Sequence, residues 1–366
     1  MTESELLALL QLQSVPGMGP GRIRRLLAKF RTPSAVLAAR LSELVSVEGI
    51  DRILAQKILH ESDPAFAETQ LEQSQRLGIR LVTLFDADYP QNLKEIPDAP
   101  LVLYVKGELL PGDAIALGVV GTRQPSDYGK TAAYRITKTL VEHGFTIVSG
   151  LARGIDTIAH QSALKSGGRT LAVLGSGLDQ IYPAENKRIA AQISEQGALI
   201  SEMPCGAGPD AVNFPRRNRI ISGISLGVLI VEAGQKSGAL ITASNALEQG
   251  REVFALPGSI FNPKSAGTNR LIKEGAKLVQ NVDDILEELD SRIRQFLRRH
   301  LPEPSSLPGL SEDERKILHV LSEEPLHIDL ISQKTGFSSP QALSILLSLE
   351  LKDLVRQLAG KMFVRV

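Results

Sequence analysis

Cysteine is all but missing from this chain: Cys205 is the only one in 366 residues. A single thiol excludes an internal disulfide and any metal site built from several cysteines. Tryptophan is absent, with only five tyrosines and ten phenylalanines, which excludes a long aromatic platform for stacking many bases. Net charge is lacking too. Lys plus Arg equals Asp plus Glu at 41 each, so no whole-chain field advertises a polyanionic partner, and a nucleic-acid site has to be a local basic patch. No apolar run reaches the ~20 residues of a membrane-spanning helix. The start, "MTESELLALL", is acidic where a secretory signal is basic. A cytoplasmic protein without membrane attachment is the expectation.

What is present divides into four stretches. Residues 1–62 hold short helical patterns only. In "PGRIRRLLAKF", Ile23, Leu26, Leu27 and Phe30 fall at helical spacing behind the glycine turn "VPGMG". The pattern returns in "LSELVSVEGIDRILAQKIL", with Gly49 at the turn. Two helix–hairpin–helix units, a SAM-like domain, are the economical assignment. The first carries Arg22, Arg24, Arg25, Lys29 and Arg31 and offers them to phosphate, with a solvated basic face as the equal alternative; the second, with Glu48 at its turn, looks structural.

Residues 63–299 form the main domain. From about 100 onward, apolar runs at 101–105, 115–121, 145–150, 170–175, 198–201, 227–233 and 252–258 alternate with helical stretches at 127–143, 155–166, 186–196 and 238–249. Strands apolar throughout are buried on both faces, as in parallel sheets. Alternation with helices predicts right-handed βαβ units and a doubly wound, mostly parallel α/β sheet. Residues 300–310, with Pro302, Pro304 and Pro308, read as a linker. Residues 311–366 show helix, turn, helix and two short strands, a winged-helix-like pattern. Its recognition-helix position, "SSPQALSILLSLELKD", is poor in cations. A major-groove reader brings Arg or Lys to bases and phosphates, so this domain is expected to contact protein or nothing.

Ligands of doubly wound sheets bind at the carboxyl ends of the strands, where helix N-termini point outward. The sequence places there Gly121 and Arg123 in "GTRQPSDYG"; Ser149, Gly150, Arg153 and Gly154 in "SGLARGID"; Phe214, Arg216, Arg217, Asn218 and Arg219 in "NFPRRNR"; and Lys236, Ser237 and Thr242 in "AGQKSGALITA". Glycines let backbone amides approach phosphate, and helix N-termini favour its charge. One phosphate does not need so many cations, whereas a row of phosphates does. Phe214 is core or a stacking surface for one base. Asp156 suits a helix N-terminus, and His160 follows it on the same face. Glu202 and Glu232 either meet as an acid/base pair or hold the surrounding loops. No dinucleotide fingerprint, Walker A motif or metal-ligand spacing occurs, so no cofactor and no metal are expected.

"VVGTRQPSDYG", "IVSGLARGIDTIAH", "LGSGLDQIYP", "FPRRNRIISG" and "SGALITASNALEQGREVFALPG" occur in this order. Together they resemble the motifs of the DprA/Smf family, the DNA-processing protein A of bacteria, over roughly residues 80–285. The resemblance implies an extended Rossmann-like domain that binds single-stranded DNA, acts as a homodimer, and protects incoming strands and loads RecA recombinase onto them in natural transformation. It implies no enzyme activity. By motif, Arg123, Ser149, Gly150, Arg153, Gly154 and the arginines of "FPRRNR" form the strand pocket, with Lys236 and Phe214 as weaker matches. Two readings compete with non-enzymatic strand binding. One is a nucleotide N-glycosidic hydrolase using Glu202, Glu232, Asp156 and His160. The other is a nucleotide-sensing adaptor.

Overall fold

The computed structural model describes residues 1–289, 293, 310–322, 325–350, 352, 354–358 and 360–365. Residues 300–309 of the expected linker lie outside them. The chain forms two compact units, Met1–Arg294 and Gln295–Val366.

Nine strands make one sheet in the first unit. They are β1 (Arg80–Thr83), β2 (Val102–Gly107), β3 (Ala116–Val120), β4 (Thr146–Ser149), β5 (Thr170–Leu174), β6 (Ala198–Ser201), β7 (Gly227–Ile230), β8 (Glu252–Ala255) and β9 (Lys277–Leu278). Their order is β1-β2-β6-β5-β4-β3-β7-β8-β9. From β6 to β9 every pair is parallel, while β1 and β2 extend the β6 edge antiparallel. Strands β3 to β7 are buried at every residue, which is why they read as unbroken apolar runs. The chain winds from β3 through β4 and β5 to β6, then returns to the other side of β3 for β7 to β9. Between β3 and β7 the winding direction therefore reverses, and the loops after those two strands part to leave a crevice.

The sequence expectation of helices between strands holds, with helices at Asp127–Glu142, Ile155–Lys165, Lys187–Gln196 and Ala239–Glu248. Several elements were not expected from it: β1, β9, the helices Pro64–Leu77 and Ala266–Lys273, and the helix Asn213–Ile224, which contains the whole of "FPRRNR". Pro215 sits in that helix's first turn, where a missing N–H costs nothing.

The N-terminal helices Glu3–Ser14, Pro20–Phe30 and Arg52–His60 share one hydrophobic cluster with the sheet, running from Leu9 and Ile23 to Ile200 and Leu271. Gly17 and Gly49 take positive φ (90° and 80°) at the two hairpin turns. Four of the five basic residues offered to phosphate there are engaged with main chain. Arg22 donates to the carbonyls of Gly17 (2.6 Å) and Gly49 (3.2 Å), stapling the two turns together. Arg25 donates to Glu48, Arg24 to Ile96 and Pro97, and Lys29 to Glu43.

The second unit packs helices Glu312–Val320, Ile328–Thr335 and Ser339–Glu350 beside a small antiparallel sheet of β10 (Leu326–His327), β12 (Met362–Arg365) and β11 (Val355–Leu358). This is a winged helix, and Ile317, Leu346 and Phe363 are in its core. Glu314 is buried among Lys352 (2.8 Å), Ser348 (2.7 Å) and the Ser311 N–H (2.7 Å). Those bonds, Lys352 first, hold its carboxyl down at about 2 against an ordinary 4.5. A depressed carboxyl contributes stability that is complete above its unfolded value and lost as pH falls through its folded one. Protection factors of the 312–320 amides in the full chain, with the intrinsic pH dependence of exchange divided out, should therefore fall on acidification from pH 4.5 toward 2. Glu314→Gln should raise exchange at neutral pH and abolish that dependence; an unchanged profile would refute the role given to Glu314.

Candidate nucleic-acid interface

A cleft of about 1200 Å³ opens over the reversal between β3 and β7. Its walls come from the loop after β3 (Gly121, Thr122, Arg123), the turn after β7 (Gly234 to Gly238), the first two turns of Asn213–Ile224 (Phe214, Arg217, Asn218), Tyr182, and Pro263 with Lys264. The helix Ala239–Glu248 aims its N-terminus into the same space, since Gly238 and Ala239 both line it. A helix N-terminus presents N–H groups and positive potential to an anion.

Arg123, Lys236 and Lys264 line the cleft, and none has an ion pair among the described residues. The guanidinium of Arg123 lies 5.8 Å from the Phe214 ring centroid, and Tyr182 meets the same ring at 5.9 Å with the planes tilted 50°. A cation, two rings and a helix N-terminus thus share one wall. Asn218 reaches across to the Gly238 carbonyl (3.4 Å), and the Ser237 hydroxyl accepts from Ala239 N–H (3.4 Å).

The other residues expected here do different work. Ser149 is fully buried and spends its hydroxyl on the Val119 carbonyl at 2.7 Å. Arg217, only 5 % exposed, donates to the carbonyls of Gly150 (2.6 Å) and Val173, so it braces the cleft floor. Arg219, at 12 % side-chain exposure, is absent from the lining and pairs with Asp98 (2.9 Å) and Glu202 (2.7 Å). Arg216 is exposed without lining the cleft. Arg153 is exposed beside Tyr182 and grips Glu185 with both its Nε and a terminal nitrogen at 3.0 Å.

Two glycines read from sequence as phosphate approaches are also required by packing, and Gly150 lines a small pocket with Arg123, Arg153, Tyr182 and Phe214. A side chain at Gly150 would put Cβ 2.5 Å from the Arg217 guanidinium and 2.7 Å from Asp156 Oδ2. Gly154, at φ 78°, would collide with the Thr122 carbonyl at 2.4 Å. The Ile155 N–H donates to that same carbonyl (3.2 Å), so this close approach fixes the strand-end loop that bears Arg123.

The acids are also occupied. Asp156 accepts from Gly150 N–H at 3.1 Å. Burial outweighs this bond and the nearby Arg217 charge, and pushes its carboxyl up to about 6. His160 holds the Thr170 hydroxyl at 2.7 Å through Nδ1; burial, and then Arg217, push its imidazole down to about 3. Glu202 is held by Arg219 rather than meeting Glu232. Glu232 is itself buried beneath the strand-end loop, where it accepts from Ser126 N–H (2.8 Å), Ser126 Oγ (2.7 Å) and Asn262 Nδ2 (3.3 Å). Tyr182, Thr122 and Lys264 are among the cleft residues that the sequence did not single out. Lys264 follows the end of β8, and extending the strand-end inventory by that one strand would have found it.

Among the described residues there is no cluster of three metal-ligating side chains, and no helix long and apolar enough to cross a membrane.

Comparison with known proteins gives three adjoining matches. Residues 80–290 match the family described as DNA recombination-mediator protein A, residues 301–361 the DprA winged helix domain, and residues 9–62 a SAM-like helix-hairpin-helix tandem. Protein Smf of Synechocystis is 37 % identical, with all of both chains covered. The X-ray structure of DNA processing protein A from Streptococcus pneumoniae superposes with a TM-score of 0.69 at 36 % identity, covering 79 % of this chain and 98 % of that one. A Helicobacter pylori DNA processing protein A structure, described for its single-stranded DNA binding mode, gives 0.52 at 30 % identity over 58 % and 97 %. The motifs, the doubly wound sheet and its two flanking domains, and full-length identity to Smf agree: the chain belongs to the DprA/Smf family of DNA-processing proteins.

Proposed function

We propose that this chain binds single-stranded DNA in the β3–β7 cleft. On this reading it acts as a cytoplasmic homodimer that protects incoming strands and helps load RecA recombinase onto them in transformation and recombination. One observation carries the binding reading. Arg123, Lys236 and Lys264 line one cleft with the Tyr182–Phe214 ring pair and have no ion-pair partner among the described residues. Cations suit a strand's phosphates, and the rings suit a base whose face is free, which a duplex does not offer. The likeness to the Helicobacter pylori protein, whose structure is described for its single-stranded DNA binding, supports the same reading.

The cleft binds without breaking bonds. A hydrolase needs an acid and a base within reach of substrate. Glu202 and Glu232 are each tied to structural partners, Asp156 touches the cleft but is only 5 % exposed and accepts from Gly150 N–H, and His160 is wholly enclosed. The engagement of these four residues argues against the N-glycosidic alternative that would use them.

Polarisation titrations with labelled oligothymidylate, a duplex and a mononucleotide test the proposal. The single strand should bind most tightly, and no free base should appear on incubation with nucleotides. Equal affinity for the mononucleotide would favour a sensing adaptor, and base release would establish an enzyme. Recombinase loading has its own test: strand exchange against a single-strand-binding competitor, where lack of stimulation removes that part alone.

A further inference from the structure

The segment from Pro257 to Lys264 holds two apolar side chains in water. Phe261 is 88 % exposed and Ile260 84 %. Burying a phenylalanine returns roughly 1.5–3 kcal/mol, so a ring left this open contributes nothing to the fold. The loop beneath it is nevertheless well tied. Gly258 exchanges two hydrogen bonds with Asn269 (3.1 and 2.9 Å), and Asn262 N–H donates to the Ser259 carbonyl at 3.0 Å. The Asn262 side chain accepts from Lys264 N–H at 3.0 Å. An exposed ring on a tied loop is prepared for a partner, because little conformational freedom is left to lose on contact.

Its connections say which partner. Glu232 accepts from Ser126, in the loop that bears Arg123, and from Asn262, next to Phe261. The Tyr128 hydroxyl donates to the Pro257 carbonyl at 2.8 Å, a second tie between the same two segments. Pro263 and Lys264 line the cleft, and two residues of chain reach at most about 7 Å. The exposed ring therefore belongs to the cleft's rim, continuous with the cations expected to track a DNA backbone.

We propose that Phe261, flanked by Ile260, is a stacking platform for a base lying just outside the cleft. It would extend the strand's path across the Pro257–Lys264 loop. This rests on the strand-binding reading above. Loss of one stacked base costs about 5- to 150-fold in affinity. Phe261→Ala should therefore weaken oligothymidylate binding by that factor with the salt dependence unchanged, because no phosphate contact is lost. Phe261→Trp should bind like the parent. It also installs the sole tryptophan of a chain that has none, and its emission should be quenched as oligonucleotide is added.

Arg123→Ala, titrated in parallel, separates the two ideas. Parent-like binding by Phe261→Ala while Arg123→Ala is weakened would overturn the platform and leave the cleft reading standing. No binding by the parent would overturn both. A Phe261→Trp emission that ignores DNA but changes with protein concentration, together with dissociation of Phe261→Ala in sedimentation, would assign the ring to a contact between copies instead and overturn the platform.

Discussion

Arg217→Met is expected to destabilise the Met1–Arg294 unit by about 3–5 kcal/mol, the cost of removing one member of a buried charged set. The guanidinium is enclosed, and burial pulls its own pKa down to about 10 even with Asp156 nearby. Methionine matches much of its length but donates nothing. The carbonyls of Gly150 and Val173 would lose their donor, and Asp156 would keep a buried carboxyl without its cation. The double variant with Asp156→Asn should recover part of the loss, because a neutral amide at that position no longer needs a cation. Urea unfolding midpoints of the parent, both single variants and the pair measure this. A shift under about 1 kcal/mol for Arg217→Met would deny Arg217 its bracing role.

The pH dependence supplies an independent check. In the folded chain Asp156 keeps its proton up to about pH 6, whereas the unfolded chain releases it near 3.8. Between those values the folded state holds more protons, so this group's contribution to stability falls as pH rises. Subtracting the Asp156→Asn profile from that of the parent isolates it from other carboxyls, including the oppositely shifted Glu314. Without Arg217 the carboxyl holds its proton longer, and the decline should continue above pH 6.

The same arginine shows where sequence reasoning stops. The strands were legible because a sheet buried on both faces favours apolar residues at most positions, and "ALIS" coincides with β6 (Ala198–Ser201). By contrast, β9 has only two residues, and β1 lies at the open edge with a partly exposed pattern. Neither leaves a periodic signature. Within the site, "FPRRNR" looks like a cluster of equivalent cations. On a helix, successive residues turn by about 100°, so Arg217 cannot face the same ligand as Arg216 and Arg219, which lie about 60° apart. The structure sends one to water, one beneath the floor and one toward Asp98 and Glu202. Helical phase is available in the sequence once the segment is taken as a helix, and Pro215 in its first turn is compatible with one. The partner of each buried arginine was not available, because Gly150, Val173 and Asp98 are distant along the chain.

Removing Arg123, Lys236 and Lys264 together is expected to abolish most of the salt-sensitive binding of single-stranded DNA. If each cation meets one phosphate, counterion release gives log K a slope of about −2 against log salt, near −0.7 per contact. A rise from 50 to 200 mM salt then weakens the parent roughly 20-fold, and each single alanine variant should reduce the slope by about 0.7. Arg123 should matter most, because its guanidinium also packs over Phe214 at 5.8 Å. Arg123→Lys keeps the charge, hence the slope, but loses the planar contact, so affinity should fall at every salt concentration. Arg219→Ala removes an arginine already neutralised by two acids outside the cleft, and should leave the slope alone. Arg217→Ala is no substitute for these variants, since it disturbs the floor on which they stand. Equal slopes for the parent and the triple variant would place the DNA elsewhere on the protein, whatever the absolute affinities.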